Sequence, residues 1–262
     1  MIGIFDSGVG GMTVARAIEH ICPGYPLIYF GDIARTPYGS KSPETIIEYS
    51  KRNTDFLLNH GATVIVIACN SAASTASDAL RSHYTVPVLD VITPATRKAA
   101  AVTRNKRIGV IGTRATVRSK VYTKGIQAIN ADCTVISQAC PLLVPLVEEG
   151  WLNKRETKMI LRRYLHPLKR RQIDTLVLGC THYPLLSTLI QPRIGKRVQL
   201  IDSSVEVARY LKEFLDNTPD INNKLLKQKM DSRFFVSDST APVRQLADRI
   251  FGRTIHLEKV DA

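Results

Sequence analysis

The chain has 262 residues, of which 44% are hydrophobic and 23% are charged, a composition typical of a soluble globular protein. It contains no apolar run of the roughly 20 residues needed to span a bilayer, and Asp6 interrupts the first apolar stretch too early for a signal peptide. The formal charge of +13 is unusual for a protein that acts on small molecules, and it leaves an anionic partner open.

Short, β-branched apolar runs alternate with helical patterns along most of the chain. The runs predict strands at 2–6, 26–31, 62–69, 86–91, 107–112, 132–139, 175–180 and 199–202. Apolar residues at helical spacing between them predict helices such as 13–21, 43–59 and 117–130. Near-continuous apolar strands alternating with helices are typical of parallel sheets covered on both faces, so the predicted fold class is α/β.

The C-terminal tail follows the last of these strands. It is predicted to form a helix, a polar loop over 217–232, a strand at 234–238 and a final helix at 241–251. Pattern alone does not assign this tail to either half of the chain.

A weak internal repeat indicates two related halves. The stretch "IGIFDSGVGGMTVARAI" at 2–18 resembles "IGVIGTRATVRSKVYTKGI" at 108–126, an offset of 106 residues, and Cys69 and Cys180 end similar strands at an offset of 111. The linker between the halves is predicted near 93–105. Ligands bind at the carboxyl ends of strands in open α/β sheets, so two facing halves would bring both cysteines to one cleft.

The cysteine content indicates free thiols. Five cysteines, an odd number with no C-x-x-C pair, predict a reducing cytoplasm rather than a disulfide framework. No set of Cys and His residues has zinc-site spacing, so no metal is expected. Cys22, Cys133 and Cys140 lack polar neighbours suited to chemistry and are interpreted as structural.

Cys69 and Cys180 differ from the other three because each precedes polar residues that begin a helix, "CNS" and "CTH". Peptide N–H groups and the positive end of a helix would stabilise a thiolate there. Two opposed thiols suit the inversion of a carbon centre, in which a base removes a proton on one face and an acid returns one on the other. A Cys–His nucleophile with His182 as its base, and a redox pair that would need movement to form a disulfide, remain alternatives.

Two glycine-rich loops follow predicted strands. "FDSGVGG" at 5–11 lacks the Rossmann glycine spacing and the P-loop lysine, so it is either a structural turn or a loop whose amides and Ser7 approach a ligand while Asp6 acts as a base or orients one. In "YFGDIARTPYGSKS" at 29–42, Tyr38, Gly39 and Ser40 offer a hydroxyl and backbone amides to a carboxylate.

Five stretches together resemble a known family. "IGIFDSGVGG", "YFGDIARTPYG", "VIACNSAAS", "CPLLVPLVEEG" and "LGCTHYPLL" are similar to motifs of the cofactor-independent aspartate/glutamate racemase superfamily, and within it to those of the enzymes that racemise glutamate. The resemblance implies two pseudo-symmetric three-layer α/β domains with mostly parallel sheets and the active site in the cleft between them. It implies domains at 1–95 and 96–207, with 208–262 returning to the first.

The same resemblance implies a reaction and its site. It implies interconversion of L- and D-glutamate without a cofactor, supply of D-glutamate for peptidoglycan, and a homodimer. It also implies catalytic roles for Cys69 and Cys180, with Cys69 assisted by Asp6, Cys180 assisted by His182, and Glu148 nearby, although Glu149 leaves that register open. Substrate contacts implied by the motifs, or by the loop chemistry in the case of Ser40, are Asp6, Ser7, Tyr38, Gly39, Ser40, Asn70, Ser71, Thr181 and His182. Ser71 departs from the family's usual threonine but keeps the hydroxyl.

Two alternatives remain beside glutamate racemisation. An aspartate racemase of the same superfamily would share both cysteines and prefer a shorter acid. A non-enzymatic role would use the basic clusters at 97–107 and 161–171 to bind DNA or a DNA-handling protein, since some members of the family are reported to inhibit DNA gyrase.

Overall fold

A computed structural model describes residues 1–226 and 230–261. The strands are β1 (Ile2–Asp6), β2 (Leu27–Gly31), β3 (Val64–Ile67), β4 (Val88–Asp90), β5 (Arg107–Gly112), β6 (Thr134–Ala139), β7 (Thr175–Gly179), β8 (Gln199–Asp202), β9 (Arg233–Val236) and β10 (Leu257–Lys259). The helices are α1 (Met12–Ile21), α2 (Pro43–Asn59), α3 (Asn70–His83), α4 (Ile92–Val102), α5 (Arg114–Ser119), α6 (Val121–Ile129), α7 (Leu143–Glu148), α8 (Arg155–Arg170), α9 (Ser187–Ile194), α10 (Ser203–Asp216), α11 (Pro219–Leu226) and α12 (Ala241–Phe251). Short 3₁₀ turns occur at Ile33–Arg35, Tyr38–Ser40 and Tyr183–Leu186.

The strands form two separate sheets in which every pairing is parallel. Their orders are β10-β9-β2-β1-β3-β4 and β6-β5-β7-β8. The four-strand order β2-β1-β3-β4 in the first sheet therefore recurs as β6-β5-β7-β8 in the second. The α/β prediction and the internal repeat are both confirmed.

Burial explains why the sequence pattern identified the central strands. All residues of β1, β2, β3 and β7 are buried, because helices cover both faces of each sheet. A strand with two covered faces needs apolar residues at every position, and this produces the continuous runs seen in the sequence. The strands that precede the two cysteines are thus among the elements that the sequence predicts most directly.

Two sequence-based predictions of secondary structure are wrong. The single helix predicted at 117–130 is two helices, α5 and α6, because Lys120 adopts the left-handed conformation (φ 56°) and breaks the helical ladder. The stretch 93–105, predicted as the linker, does connect β4 of the first sheet to β5 of the second, and most of it is helix α4. The polar loop predicted at 217–232 contains helix α11, while 227–229 lie outside the described residues.

The C-terminal tail joins the first sheet. Strand β9 pairs with β2 and carries β10 on its other side, and α12 packs against α1. Sequence pattern could not assign this tail, and it missed β10. Within 1–226 and 230–261, no helix combines the length and apolar character required to cross a bilayer.

Candidate active site

A cavity of about 280 Å³ opens where the carboxyl ends of the two sheets meet. Cys69 borders it just after β3, and Cys180 borders it just after β7, so each sheet contributes one thiol. All of the predicted site residues except Asp6 line this cavity, and Asp6, which precedes Ser7 in the chain, is buried. The lining residues are Ser7, Thr36, Pro37, Tyr38, Gly39, Ser40, Cys69, Asn70, Ser71, Thr113, Arg114, Pro141, Val144, Pro145, Glu148, Cys180, Thr181 and His182.

Cys69 is a buried thiol at the start of helix α3. The backbone N–H of Ala72 donates to its Sγ over 3.5 Å, and Sγ donates to Ser7 Oγ over 3.3 Å. Burial and the nearby Asp6 carboxylate raise the pKa of Cys69 to about 12, although these hydrogen bonds oppose the shift. The N–H of Ala72 at the start of α3 does favour the thiolate of Cys69, as predicted, but desolvation outweighs this effect and the net pKa is raised.

Asp6 is held by the glycine-rich loop that follows it. The N–H groups of Gly8 and Gly11 each donate to Asp6 Oδ2 over 3.0 Å, whereas Oδ1 is buried without a hydrogen-bond partner. Burial raises the pKa of the Asp6 carboxyl to about 6, against the lowering effects of His182 and the two amides. The amides of Gly8 and Gly11 thus bind Asp6 rather than face a ligand. For these two amides, the interpretation of "FDSGVGG" as a structural turn applies.

His182 lies between Cys180 and Glu148. Its Nδ1 is 3.9 Å from Cys180 Sγ, and its Nε2 is 3.0 Å from Glu148 Oε1. Burial alone would lower the pKa of His182, but the Cys180 sulfur and the Glu148 carboxylate raise it to about 10. Glu148, rather than Glu149, therefore faces this ring.

The loop after β1 and the start of α1 also contact the residues that follow Cys180. A Cβ atom at Gly10 would overlap the ring of His182, so only glycine leaves room for the imidazole. Thr13 Oγ1 lies 3.0 Å from the carbonyl oxygen of Thr181 and 3.1 Å from Ser204 Oγ. The first helix of one half is thereby linked to the residue that follows Cys180 in the other.

Asn70 presents an unused donor. Its Oδ1 accepts a hydrogen bond from the Tyr122 hydroxyl over 2.7 Å, which directs the amide, while its buried Nδ2 has no partner. Ser71 Oγ lies 2.9 Å from Thr113 Oγ1, so the Ser71 hydroxyl meets a residue of the second half. A free amide donor in a cavity of this size suits a carboxylate ligand.

The loop at 36–40 uses its backbone rather than its tyrosine hydroxyl. The Tyr38 hydroxyl donates to Asp32 Oδ2 and accepts from Asn53 Nδ2, and the ring is fully buried. Tyr38, Gly39 and Ser40 form a 3₁₀ turn, whose first N–H groups have no partner within the turn. These amides remain available to a ligand, but the hydroxyl considered in the sequence analysis does not.

Sequence reasoning missed Thr113 and Arg114, which line the cavity from the second half. The internal repeat could have identified Thr113, because its offset of 106 residues relates Ser7 of the first half to Thr113 of the second. The cysteines interpreted as structural, Cys22, Cys133 and Cys140, are buried and none lines the cavity. Within the described ranges, no group of three or more His, Cys, Asp or Glu side chains is arranged to hold a metal ion.

Comparison with known proteins agrees with this architecture. A sequence model described as Asp/Glu/Hydantoin racemase matches residues 9–211. The chain therefore belongs to that family, and it is an amino-acid racemase.

The individual proteins that the chain resembles have a more specific description than the family, since those cited here are glutamate racemases. The chain is 46% identical over 254 residues to a glutamate racemase of Geobacter metallireducens, with 96% of this chain and 92% of that protein covered. A glutamate racemase structure from Bacillus anthracis matches at TM-score 0.93 and 36% identity, covering 100% of this chain and 97% of the other. A Francisella tularensis glutamate racemase in complex with D-glutamate matches at TM-score 0.89 and 35% identity, covering 99% and 96%.

Proposed function

We propose that this protein interconverts L- and D-glutamate by a two-cysteine acid/base mechanism that needs no cofactor. The observation that carries the proposal is that Cys69 and Cys180 line one cavity from two different sheets. Relatives of 44–48% identity over nearly the full chain are glutamate racemases, which supports glutamate as the substrate.

The two thiols must begin each turnover in opposite protonation states. Cys69 begins as the protonated thiol, because burial and Asp6 raise its pKa to about 12. Cys180 then acts as the base on L-glutamate: its thiolate takes the α-proton while the Cys69 S–H gives a proton to the opposite face of the carbon. The turnover ends with a Cys180 thiol and a Cys69 thiolate, the pair from which D-glutamate reacts in reverse.

Neighbouring groups assist each thiol during this exchange. His182 places a positively charged ring beside Cys180, and Glu148 holds that ring by its other nitrogen. Asp6 lies behind Cys69, close enough for its charge to affect that thiol. With a pKa of about 6, Asp6 can exchange a proton near neutral pH, which suits a group that restores Cys69.

The carbanionic intermediate needs hydrogen bonds fixed in advance. The unpaired Nδ2 of Asn70 and the N–H groups of the 38–40 turn are donors at the cavity wall. Donors aimed at the α-carboxylate stabilise the charge that develops as the α-proton leaves, and a cavity of this size admits little water beside the substrate. Ser7, Ser71 and Thr181 supply further hydroxyl groups around the same space.

The proposal extends to the domains and the biological role. We assign 1–95 with 208–262 to one domain and 96–207 to the other, which close on the substrate and open to release it. The D-glutamate would be supplied to peptidoglycan synthesis in the cytoplasm by a homodimeric enzyme. Size-exclusion chromatography with light scattering tests the dimer, and a clean monomer mass would contradict it.

Proton NMR in heavy water tests the reaction. Incubation with either enantiomer should remove the α-proton signal, while circular dichroism of the same sample decays to zero. Cys69→Ser and Cys180→Ser should each slow both signals roughly a hundredfold or more. The buried Cys133, outside the cavity, provides the matched control, and Cys133→Ser should react like the wild type. Full activity in either cavity variant would contradict the two-cysteine mechanism.

The same assay separates glutamate from aspartate. We expect kcat/KM for glutamate to exceed that for aspartate, because the relatives cited are glutamate racemases. A preference for aspartate would instead identify the chain as an aspartate racemase of the same family.

One observation favours a second candidate function, binding of nucleic acid through phosphate contacts. The exposed face of α8 carries six cations that form no ion pair among residues 1–226 and 230–261: Arg155, Lys158, Arg162, Arg163, Lys169 and Arg170. Just beyond α8, Gln172 accepts hydrogen bonds from Asn105 and Arg107, so the two basic clusters of the sequence meet. Phosphate contacts of this kind weaken steeply with salt.

Fluorescence anisotropy with a labelled DNA duplex tests this candidate at low and physiological salt. Replacing Arg162, Arg163 and Lys169 by Gln should weaken binding more than the same change at Arg52, Arg209 and Lys212, which are already paired with carboxylates. Absence of binding at low salt would rule the candidate out.

A further inference from the structure

Arg114 is a cation at the mouth of the active-site cavity to which no role has been assigned above. It begins helix α5, is exposed, and lines the cavity together with Glu148 and His182, the other two charged side chains of the lining. Glu148 and His182 bond to each other. Arg114 forms no ion pair within the described part of the chain, so its guanidinium is free to meet an incoming anion.

The backbone that carries Arg114 is held firmly. Thr113 caps α5 by accepting a hydrogen bond from the N–H of Thr116 over 3.2 Å, and its hydroxyl lies 2.9 Å from Ser71 Oγ. Gly39 packs against the same threonine, since a Cβ there would lie 3.0 Å from Thr113 Cβ. The start of α5 is thus fixed against the first half, and the Arg114 side chain extends from a defined point on the rim.

The depth of the two thiols decides which substrate group can reach Arg114. Cys69 and Cys180 are only 5% and 6% exposed, so the α-carbon that reacts between them lies deep in the cavity, near the free amide of Asn70. The α-carboxylate stays with that carbon. The end of the substrate side chain is therefore the group that extends towards the mouth.

We propose that Arg114 is a specificity-determining residue that binds the side-chain carboxylate of the substrate. This inference rests on the proposed racemisation of glutamate and names the residue that selects an acidic side chain. A guanidinium presents a planar fork of donors that matches a carboxylate, and it carries its charge at every physiological pH. An acid with a longer side chain reaches the rim better than aspartate does, and a neutral amide such as that of glutamine lacks the charge.

The test compares Arg114→Gln with Arg118→Gln. Arg118 lies one turn further along the same helix and is also exposed, but it does not line the cavity, so its variant loses the same net charge without touching the site. Steady-state racemisation of D- and L-glutamate is measured at low and high ionic strength for both variants and the wild type, with glutamine as a competing ligand.

In Arg114→Gln we expect the KM for glutamate to rise about fivefold, as for the loss of an exposed ion pair. We expect kcat to stay within about twofold, because the chemistry occurs at the deeper thiols. The decline of kcat/KM with salt should flatten, and glutamine should inhibit relatively better. Arg118→Gln should keep the wild-type KM and salt response.

Two results would overturn the inference. One is an Arg114→Gln variant with the KM and salt response of the wild type, and the other is an equal effect in Arg118→Gln, which would indicate general surface charge. Failure of the proposed function gives a different result, since the wild type itself would then not racemise glutamate.

Discussion

Glu148 holds the imidazole of His182 from the side opposite to Cys180, with Glu148 Oε1 3.0 Å from Nε2 of a ring that is 6% exposed. The two ring nitrogens therefore face different groups, and each contact favours the protonated ring. Burial acts in the opposite direction but is outweighed, so that the pKa of His182 rises to about 10. The ring is positively charged throughout the neutral range.

Glu148→Gln should move the alkaline limit of activity to lower pH. The raised pKa keeps His182 protonated up to about pH 10, and without the carboxylate the ring loses its proton earlier as the pH rises. The measurement is kcat for both enantiomers between pH 6 and 10. In the variant we expect the alkaline limb of the pH profile to shift to lower pH and the acidic limb to stay unchanged. Glu149→Gln is the matched control, because Glu149 adjoins Glu148 but does not contact the ring. Identical profiles for the two variants would contradict the role of Glu148.

Asp6→Asn should change how stability depends on pH. Burial raises the pKa of Asp6 from 3.8 to about 6, so the folded state holds this proton more tightly than the unfolded chain does. The wild type consequently loses stability as the pH rises from about 4 to 6, by up to about 3 kcal/mol relative to Asp6→Asn. Urea unfolding of both proteins at several pH values between 4 and 7 measures the difference. A difference that stays constant with pH would contradict the prediction.

Gly10→Ala should reduce kcat by displacing His182. The added Cβ would overlap the imidazole, and the ring can yield only by leaving its contacts with Cys180 or Glu148. Gly8→Ala is the comparison within the same loop, since a Cβ there meets nothing closer than 3.6 Å. We expect a much larger loss of kcat for the change at Gly10, with circular dichroism confirming that both variants fold. Equal losses would mean that the loop backbone, rather than the ring, is sensitive.

Thr13→Val should separate a positioning role from simple packing. The valine keeps the shape of threonine but loses the hydroxyl that lies near the Thr181 carbonyl and Ser204. We expect a loss of about 1–3 kcal/mol in unfolding free energy, because a buried carbonyl loses its partner, and a lower kcat with little change in KM. Thr13→Ser retains the hydroxyl and should restore kcat. Equal kcat values in the valine and serine variants would argue against the hydroxyl.

Local pattern was sufficient to predict nine of the ten described strands and to single out the two cysteines. Strands β1 and β5 and helices α2 and α12 have the predicted boundaries, because burial on two faces or on one helical stripe leaves a direct trace in residue order. Strand β8 also has the predicted boundaries, although only Ile201 in it is buried. The repeat relating Cys69 to Cys180 was equally visible. The strand before each cysteine and the helix after Cys69 were thus expected from the sequence, whereas the helix expected directly after Cys180 is a 3₁₀ turn at Tyr183–Leu186, and α9 begins only at Ser187.

Contacts between distant segments were decided only by the tertiary structure. The pairing of Glu148 with His182, the arrival of Thr113 and Arg114 at the cavity, and the return of β9 to β2 join residues far apart in the chain. The high pKa of Cys69 is of the same kind, since helix N–H groups are local whereas desolvation comes from everything packed around the thiol. Sequence determined which residues could react, because strand and helix patterns depend on near neighbours; the folded structure decided their charges and partners, because electrostatics and burial depend on distance in space.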